Sequence, residues 1–543
     1  MKKLIQFFIC ALVFQATAQS NLTANDWQND LKLLQSTVHN EYSFLFKKTT
    51  VEEFDTQVDE LFNAIPSLED HEITLGIARI VASFKYGHTD VGFRYQQLPI
   101  NLYHFNDGVY IQGLHKDYEQ ALGAKVISIE GVTIEDALKA VYPAVPVEND
   151  QYFKAYGLNY LRIPEVLHAQ GIINKLSSTV EFTLEKDGKV FKQSFKTLAN
   201  KERVPAQYGF VKQKGDWLDA RDSGELPLYI KHLDKIYYYE YLPKHKTVYV
   251  RHSQIQDDST ENIPTFYNRL FDFIDNSDVE RLIIDVRLNG GGNNYKNKPI
   301  VKGLIQSKKI NKKGSLIVIT GRRTFSACQN LVNEIDTYTD ALFVGEPTAE
   351  NINFYGDNRK VELPNSKLPV YLSFAWWQDK PQWENAPWTA PHVAVDMSFA
   401  DYKSNRDPVL ETALSFSDPN FIMDPMQHLT DLFMAGKMEQ VMVDAKAMVS
   451  NPKYQFFDFE GQLNQAGYNV MGNGQMEPAA FIFKLVTELF PSSANAWDSF
   501  GEVHLKMKRF DEAKEYYNKA IALDPEGETG KNARAMLKEI GNN

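Results

Sequence analysis

The sequence predicts an α/β protein with a helical N-terminal subdomain, a β-rich segment and a C-terminal array of α-helical repeats. Three observations carry that prediction. Apolar residues recur at helical spacing over residues 23–86 and at strand spacing through much of 91–195. From about residue 227 short apolar runs alternate with amphipathic ones, the pattern of a parallel sheet with right-handed helical crossovers. Finally, residues 463–496 and 497–530 match at a 34-residue period. The boundaries follow as 1–18, 19–90, 91–200, 201–420 and 421–543.

Lys2 and Lys3, the apolar run Leu4–Phe14 and the small residues Ala16-Thr17-Ala18 read as a cleavable export signal, shorter than the roughly 20 residues of a membrane span. Cys10 lies inside that apolar run after Ile9, which argues against a lipoprotein cysteine. Thr50 and Glu53 fit a capping box opening a helix through Phe54, Val58, Leu61 and Phe62. A second helix runs from Asp70 to Phe84. Strands are expected at 91–95, 109–114 and 124–129, a helix at 134–141, and a hairpin turning at Asp187-Gly188. Beyond 227 the expected order is strand 247–251, helix 263–273, strand 282–286, the glycines Gly290-Gly291-Gly292, a helix, strand 315–319, helix 326–338 and strand 342–345. In the tail, Gly467 matches Gly501, Ala479 matches Ala513, Phe483 matches Tyr517 and Pro491 matches Pro525, the marks of tetratricopeptide-like hairpins. Residues 428–450 read as a degenerate third copy. Such arrays bind peptides or partner proteins on a concave face.

Composition narrows the function classes. Lysine and arginine total 58 against 70 acidic residues, a net charge of -12 with no basic run, which excludes nucleic acid as a partner. After signal removal Cys328 is the only cysteine, so no internal disulfide staples the exported chain. Nothing later is apolar enough to span a bilayer. The histidines show no metal-ligand spacing, and no cofactor is expected. The expected location is the periplasm or the medium.

Two loops carry chemistry, both expected at strand-to-helix turns. In Asp285-Val286-Arg287-Leu288-Asn289-Gly290-Gly291-Gly292, bare backbone amides can face a developing negative charge. The spacing is neither GxGxxG nor a Walker loop, and a plain tight turn is the other reading. In Thr324-Phe325-Ser326-Ala327, Ser326 opens a helix whose terminal amides favour an incipient alkoxide. Ser326 read alone is a helix cap. Its pairing with the glycine loop raises the nucleophile reading.

These two motifs, with Val344-Gly345-Glu346-Pro347-Thr348 and Asp407-Pro408-Val409-Leu410, resemble the C-terminal processing (tail-specific) serine peptidase family over roughly residues 25–415. The resemblance implies a crotonase-like core, Ser326 as nucleophile, and an oxyanion hole from the amides of Gly290, Gly291 and Ala327. It is closest to the tricorn-like branch: the lysine position of the other branch matches Asn351, whereas Tyr86-Gly87-His88-Thr89-Asp90 fits the histidine segment. His88 is then the general base, its type suited to proton transfer near neutral pH. For the acidic orienter the branch pattern points to Glu384, with Asp357 and Asp396 as competitors. The chain departs from the pattern at Gln329 and Gly87. Cys328 reads as packing. Residues 108–142 resemble the family's degenerate PDZ-like module, which docks a substrate C-terminus by strand addition; a plain β-subdomain is the other reading. Trp376, Trp377, Trp383 and Trp388 line a cleft or pack a core. The function so implied is an exported serine endopeptidase acting on peptides or unfolded proteins, with a partner recruited by the repeats. The alternative is a catalytically degenerate peptide- or ligand-binding protein on the same fold.

Overall fold

The computed structural model describes residues 22–542; the expected export signal lies outside them. The chain divides into two units, one running to Ala220 and including Asn353–Asn385, the other comprising Arg221–Ile352 and Ala386 onward.

The first unit begins with helices Ala24–Glu41, Val51–Ala64 and Asp70–Ala82. Each starts at a reciprocal capping box: Thr23 with Asp26, Thr50 with Glu53, and Glu69 with Glu72. Phe54, Val58 and Leu61 form the buried stripe that the helical spacing predicts. A seven-stranded antiparallel sheet follows, with Gly108–His115, Lys125–Ile129 and Thr179–Lys186 at its centre and Lys189–Lys196 at one end. Asp187 and Gly188, with φ of 52° and 71°, close the hairpin in the left-handed geometry that matches strand twist.

The expected strand at 91–95 shrinks to Asp90–Val91, paired antiparallel with Pro369–Trp377. The ladder stops because Gly92 lies opposite Pro369, which accepts the Gly92 amide and has no N–H to return. Phe354–Glu362 completes this three-stranded sheet.

The second unit is built on a six-stranded sheet in the order Tyr237–Leu242, Thr247–His252, Arg281–Asp285, Leu316–Thr320, Leu342–Gly345 and Val393–Ala394. All pairs are parallel except the first. Its central strands are apolar on both faces, as a sheet covered on both sides requires. Val250, Leu282, Ile284, Leu316 and Val318 pack against helices Ile263–Asn276, Lys298–Gln306 and Ala327–Tyr338. Tyr249, Ile283, Ile317 and Ile319 point the other way, as the two-residue period of a strand demands. They meet Val409, Leu410 and Ala413 of helix Pro408–Ser415, and the same apolar layer continues into the C-terminal helices through Leu429, Val441, Ala445 and Leu463. The first C-terminal helices are therefore part of the core.

Helical hairpins follow at Pro425–Met434/Met438–Val449, Phe459–Gly472/Met476–Leu489 and Ala494–Lys506/Phe510–Leu523, then a last helix, Glu528–Asn542. The matched glycines have a packing cause. A Cβ on Gly467 would lie 2.7 Å from the Phe483 ring, and one on Gly501 3.0 Å from the Tyr517 ring. Among the described residues, no helix is long and apolar enough to cross a membrane.

Candidate active site

The glycine loop leaves the end of the Arg281–Asp285 strand, where parallel-sheet loops gather. Asn289, fully buried, anchors it. Its Nδ2 donates to the His252 carbonyl at 2.9 Å and its Oδ1 accepts the Gly291 amide at 2.9 Å. Gly291 has φ of 98°, and a Cβ there would lie 2.6 Å from Ser326 Cβ and 2.9 Å from the Ala327 nitrogen. Only glycine permits that approach.

The neighbouring strand, Leu316–Thr320, leads to the second turn. Thr324 Oγ1 donates to the Val286 carbonyl at 2.9 Å and accepts the Gly321 amide at 3.1 Å, tying the two loops together. The Phe325 amide reaches the Asn289 carbonyl at 3.1 Å. Ser326 then adopts φ 55°, ψ -130°, a conformation strained for any residue with a Cβ and held only when its surroundings over-determine it. Part of that support comes from Glu350, fully buried, whose Oε2 accepts the Ser326 amide at 2.8 Å. The Ser326 side chain makes no capping bond to the Ala327–Tyr338 helix, so the helix-cap reading of this serine does not describe it. Ser326 is partly buried, with its Cβ against the glycine loop.

Of the three amides expected to form an oxyanion hole, Gly291 is engaged by Asn289, whereas those of Gly290 and Ala327 have no acceptor among the described residues. Cys328 belongs to the apolar core, and burial pushes its thiol well above the ordinary range. Gln329 is buried and donates to Asn333 and Thr389 at 2.8 and 2.9 Å. Asp396 accepts Arg322 at 3.4 Å, beside the ion pair of Arg322 with Glu346.

His88 belongs to the first unit. Its segment is fixed by Thr89, whose Oγ1 donates to Ser373 Oγ at 2.9 Å, and by Asn358 Nδ2, which donates to the His88 carbonyl at 2.9 Å. The imidazole lies parallel to the Phe354 ring, 12° between planes. Burial lowers its pKa, opposed by the charges of Glu148 and then Asp357. Glu148, 6% exposed, accepts the Gly87 amide at 2.7 Å and pairs with Lys48 at 3.3 Å. Glu384 is exposed on the Gln382–Glu384 turn of the same unit. Ser326, Gly290, Gly291 and Ala327 are thus brought together in the second unit, while His88, Asp357 and Glu384 lie in the first.

Sequence reasoning missed Asn289, Glu350 and Glu148. Asn289 had a signal, since it precedes the glycines directly. The two glutamates had none, because each is matched to its amide by the fold and not by spacing.

Comparison with known proteins gives first a class of fold and then particular neighbours. The tetratricopeptide-repeat family model matches residues 501–526. Among solved structures the chain is similar to a point mutant of CPAF at 10% identity, covering 74% of this chain and 99% of that one with a TM-score of 0.51. It is similar to mature CPAF at 11% identity over the same shares, with a TM-score of 0.50. These scores establish a shared fold. The photosystem II D1 C-terminal processing protease is a more remote neighbour, at 11% identity, 69% and 94% coverage and a TM-score of 0.32. No curated protein matches the chain.

Proposed function

We propose that this protein is a serine peptidase that cleaves peptides or unfolded proteins after export. The observation that carries the reading is the Ser326 turn: an uncapped serine at φ 55°, with the glycine loop against its Cβ and unengaged amides at Gly290 and Ala327. A serine serving only as structure has no use for that arrangement. In this reading Ser326 Oγ attacks the scissile carbonyl carbon, and His88 takes the hydroxyl proton and returns it to the leaving amine. The Gly290 and Ala327 amides hold the oxyanion, and Gly291 contributes the missing side chain that lets the loops approach. Burial keeps His88 neutral, the form a base needs. For the acidic partner, Glu148 and Asp357 stand beside Glu384 as candidates, since the charges of the first two raise the His88 pKa. No cofactor enters. The crotonase-like core, the PDZ-like role of residues 108–142, the five-segment division and export to the periplasm or medium are part of the same proposal, resting on the motifs.

The test is to incubate the mature chain and its Ser326→Ala variant with a proteome-derived peptide mixture and compare products by mass spectrometry. Cleavages made only by the parent are the expected result. Identical mixtures refute the peptidase reading and leave the binding protein of the same fold.

A further inference from the structure

Between the helices Val51–Ala64 and Asp70–Ala82 and the segment 142–148, all within the first unit, lies a cavity of about 730 Å³ that the proposed chemistry does not use. Pockets of about 300–1,000 Å³ hold small organic ligands. Gly76, Arg79, Ile80 and Ser83 line it from one side. Their spacing of i, i+3, i+4 and i+7 puts them on one face of the Asp70–Ala82 helix and its C-terminal cap. Leu61, Ile80, Val145 and Val147, all buried, make the interior apolar. Glu60, Lys85 and Tyr142 are exposed and make the mouth polar.

Arg79 is the cation of the wall. It is only partly buried, so a solute entering the cavity reaches it. Its Nη1 donates to Gln170 Oε1 at 3.3 Å, and among the described residues it forms no ion pair. The nearby carboxylates are committed elsewhere or lie at the rim. Glu72, whose charge acts on Arg79, accepts the Glu69 amide at 2.8 Å at the start of its own helix. Glu148 is held by Lys48 at 3.3 Å and by the Gly87 amide at 2.7 Å. Glu60 at the mouth forms no ion pair among the described residues, and neither does Lys85 beside it. Burial lowers the Arg79 pKa, with Glu72 opposing, as it does for a partly desolvated cation without a close counter-ion. A guanidinium with donors to spare matches the two oxygens of a carboxylate, and the interior beside it suits an apolar chain.

We propose that this cavity binds a small aliphatic carboxylate of the medium-chain fatty-acid type, its carboxylate held by the Arg79 guanidinium and its chain lying on Leu61, Ile80, Val145 and Val147. The site belongs wholly to the first unit and does not rest on the peptidase reading.

Hexanoate, octanoate and decanoate, below their micelle-forming concentrations, are titrated into the mature chain by isothermal calorimetry, with decyltrimethylammonium as the cationic control. Decanoate is expected to bind, with affinity rising about tenfold for every two methylenes along the series. Arg79→Gln keeps a polar side chain but removes the charge, and should weaken decanoate about tenfold or more. Ser83→Leu fills the cavity from the same helix face and leaves the charge in place; it should lower the affinity as well. Circular-dichroism melting confirms that each variant folds. No decanoate binding, an affinity that does not rise with chain length, equal binding of decyltrimethylammonium, or parent-like decanoate affinity in either folded variant overturns the proposal.

Discussion

Acidification to pH 5 tests the floor of the glycine loop through His252. This residue ends the Thr247–His252 strand, fully buried, with Nδ1 2.9 Å from the Tyr267 hydroxyl and Nε2 2.9 Å from the Gln254 carbonyl. Its carbonyl accepts Asn289, which in turn holds Gly291. Burial lowers its pKa from 6.5 to about 4, the Gln254 carbonyl opposing and Arg251 assisting. The folded state thus binds this proton less readily than the unfolded chain, so the neutral imidazole contributes stability that is complete above pH 6.5 and is lost as pH falls toward 4. At 1.36 kcal/mol per pKa unit, the loss between pH 7 and pH 5 is about 2 kcal/mol, approaching about 3 kcal/mol below pH 4. The assay is hydrogen exchange in a urea series at both pH values, read on peptides spanning 247–252 and corrected for intrinsic exchange rates. His252→Gln, which cannot charge, starts less stable at pH 7 but loses about 2 kcal/mol less than the parent on acidification. Other buried histidines cancel in that difference. Equal losses in the two proteins would refute the argument.

Other outcomes follow from the same geometry. Gly291→Ala places a Cβ 2.9 Å from both the Ala327 nitrogen and the Phe325 oxygen, backbone atoms that cannot step aside. Cleavage is expected to fall about 100-fold or more, since a displacement near 1 Å at the reacting atoms has that effect. Undiminished turnover in a normally folded variant would remove this turn from the site. Glu148→Gln keeps an acceptor for the Gly87 amide but removes a charge that raises the His88 pKa. The acid limb of kcat/KM should move to lower pH, and a limb that stays or moves upward would exclude His88 and Glu148 as a coupled pair.

Much of the fold was legible in the sequence because it rests on local pattern. The capping box at Thr50 and Glu53, the Asp187-Gly188 turn, the Leu342–Gly345 strand and the helix Ile134–Val141 all form where spacing and turn chemistry put them. The 34-residue period was equally readable, since each repeat must supply the same glycine for the same aromatic ring. Ser326 and its glycine loop stood out only as a pair on neighbouring strands, since each read alone fits a helix cap or a tight turn.

What tertiary structure alone decided depends on partners distant in the chain. Asp90–Val91 becomes a short strand only because Pro369–Trp377 returns to it, and Thr89 finds Ser373 across 284 positions. Residues 353–385 leave the second unit for the first, which no local composition announces. The apolar layer shared by the sheet and the first C-terminal helices joins segments that look separate in sequence. Glu350 and Glu148 follow the same rule. A buried carboxylate acquires its meaning from the amide it accepts, and Ser326 and Gly87 are delivered to them by the fold. Local propensity sets which elements form; burial and hydrogen-bond satisfaction, which act only between elements, set which residues meet.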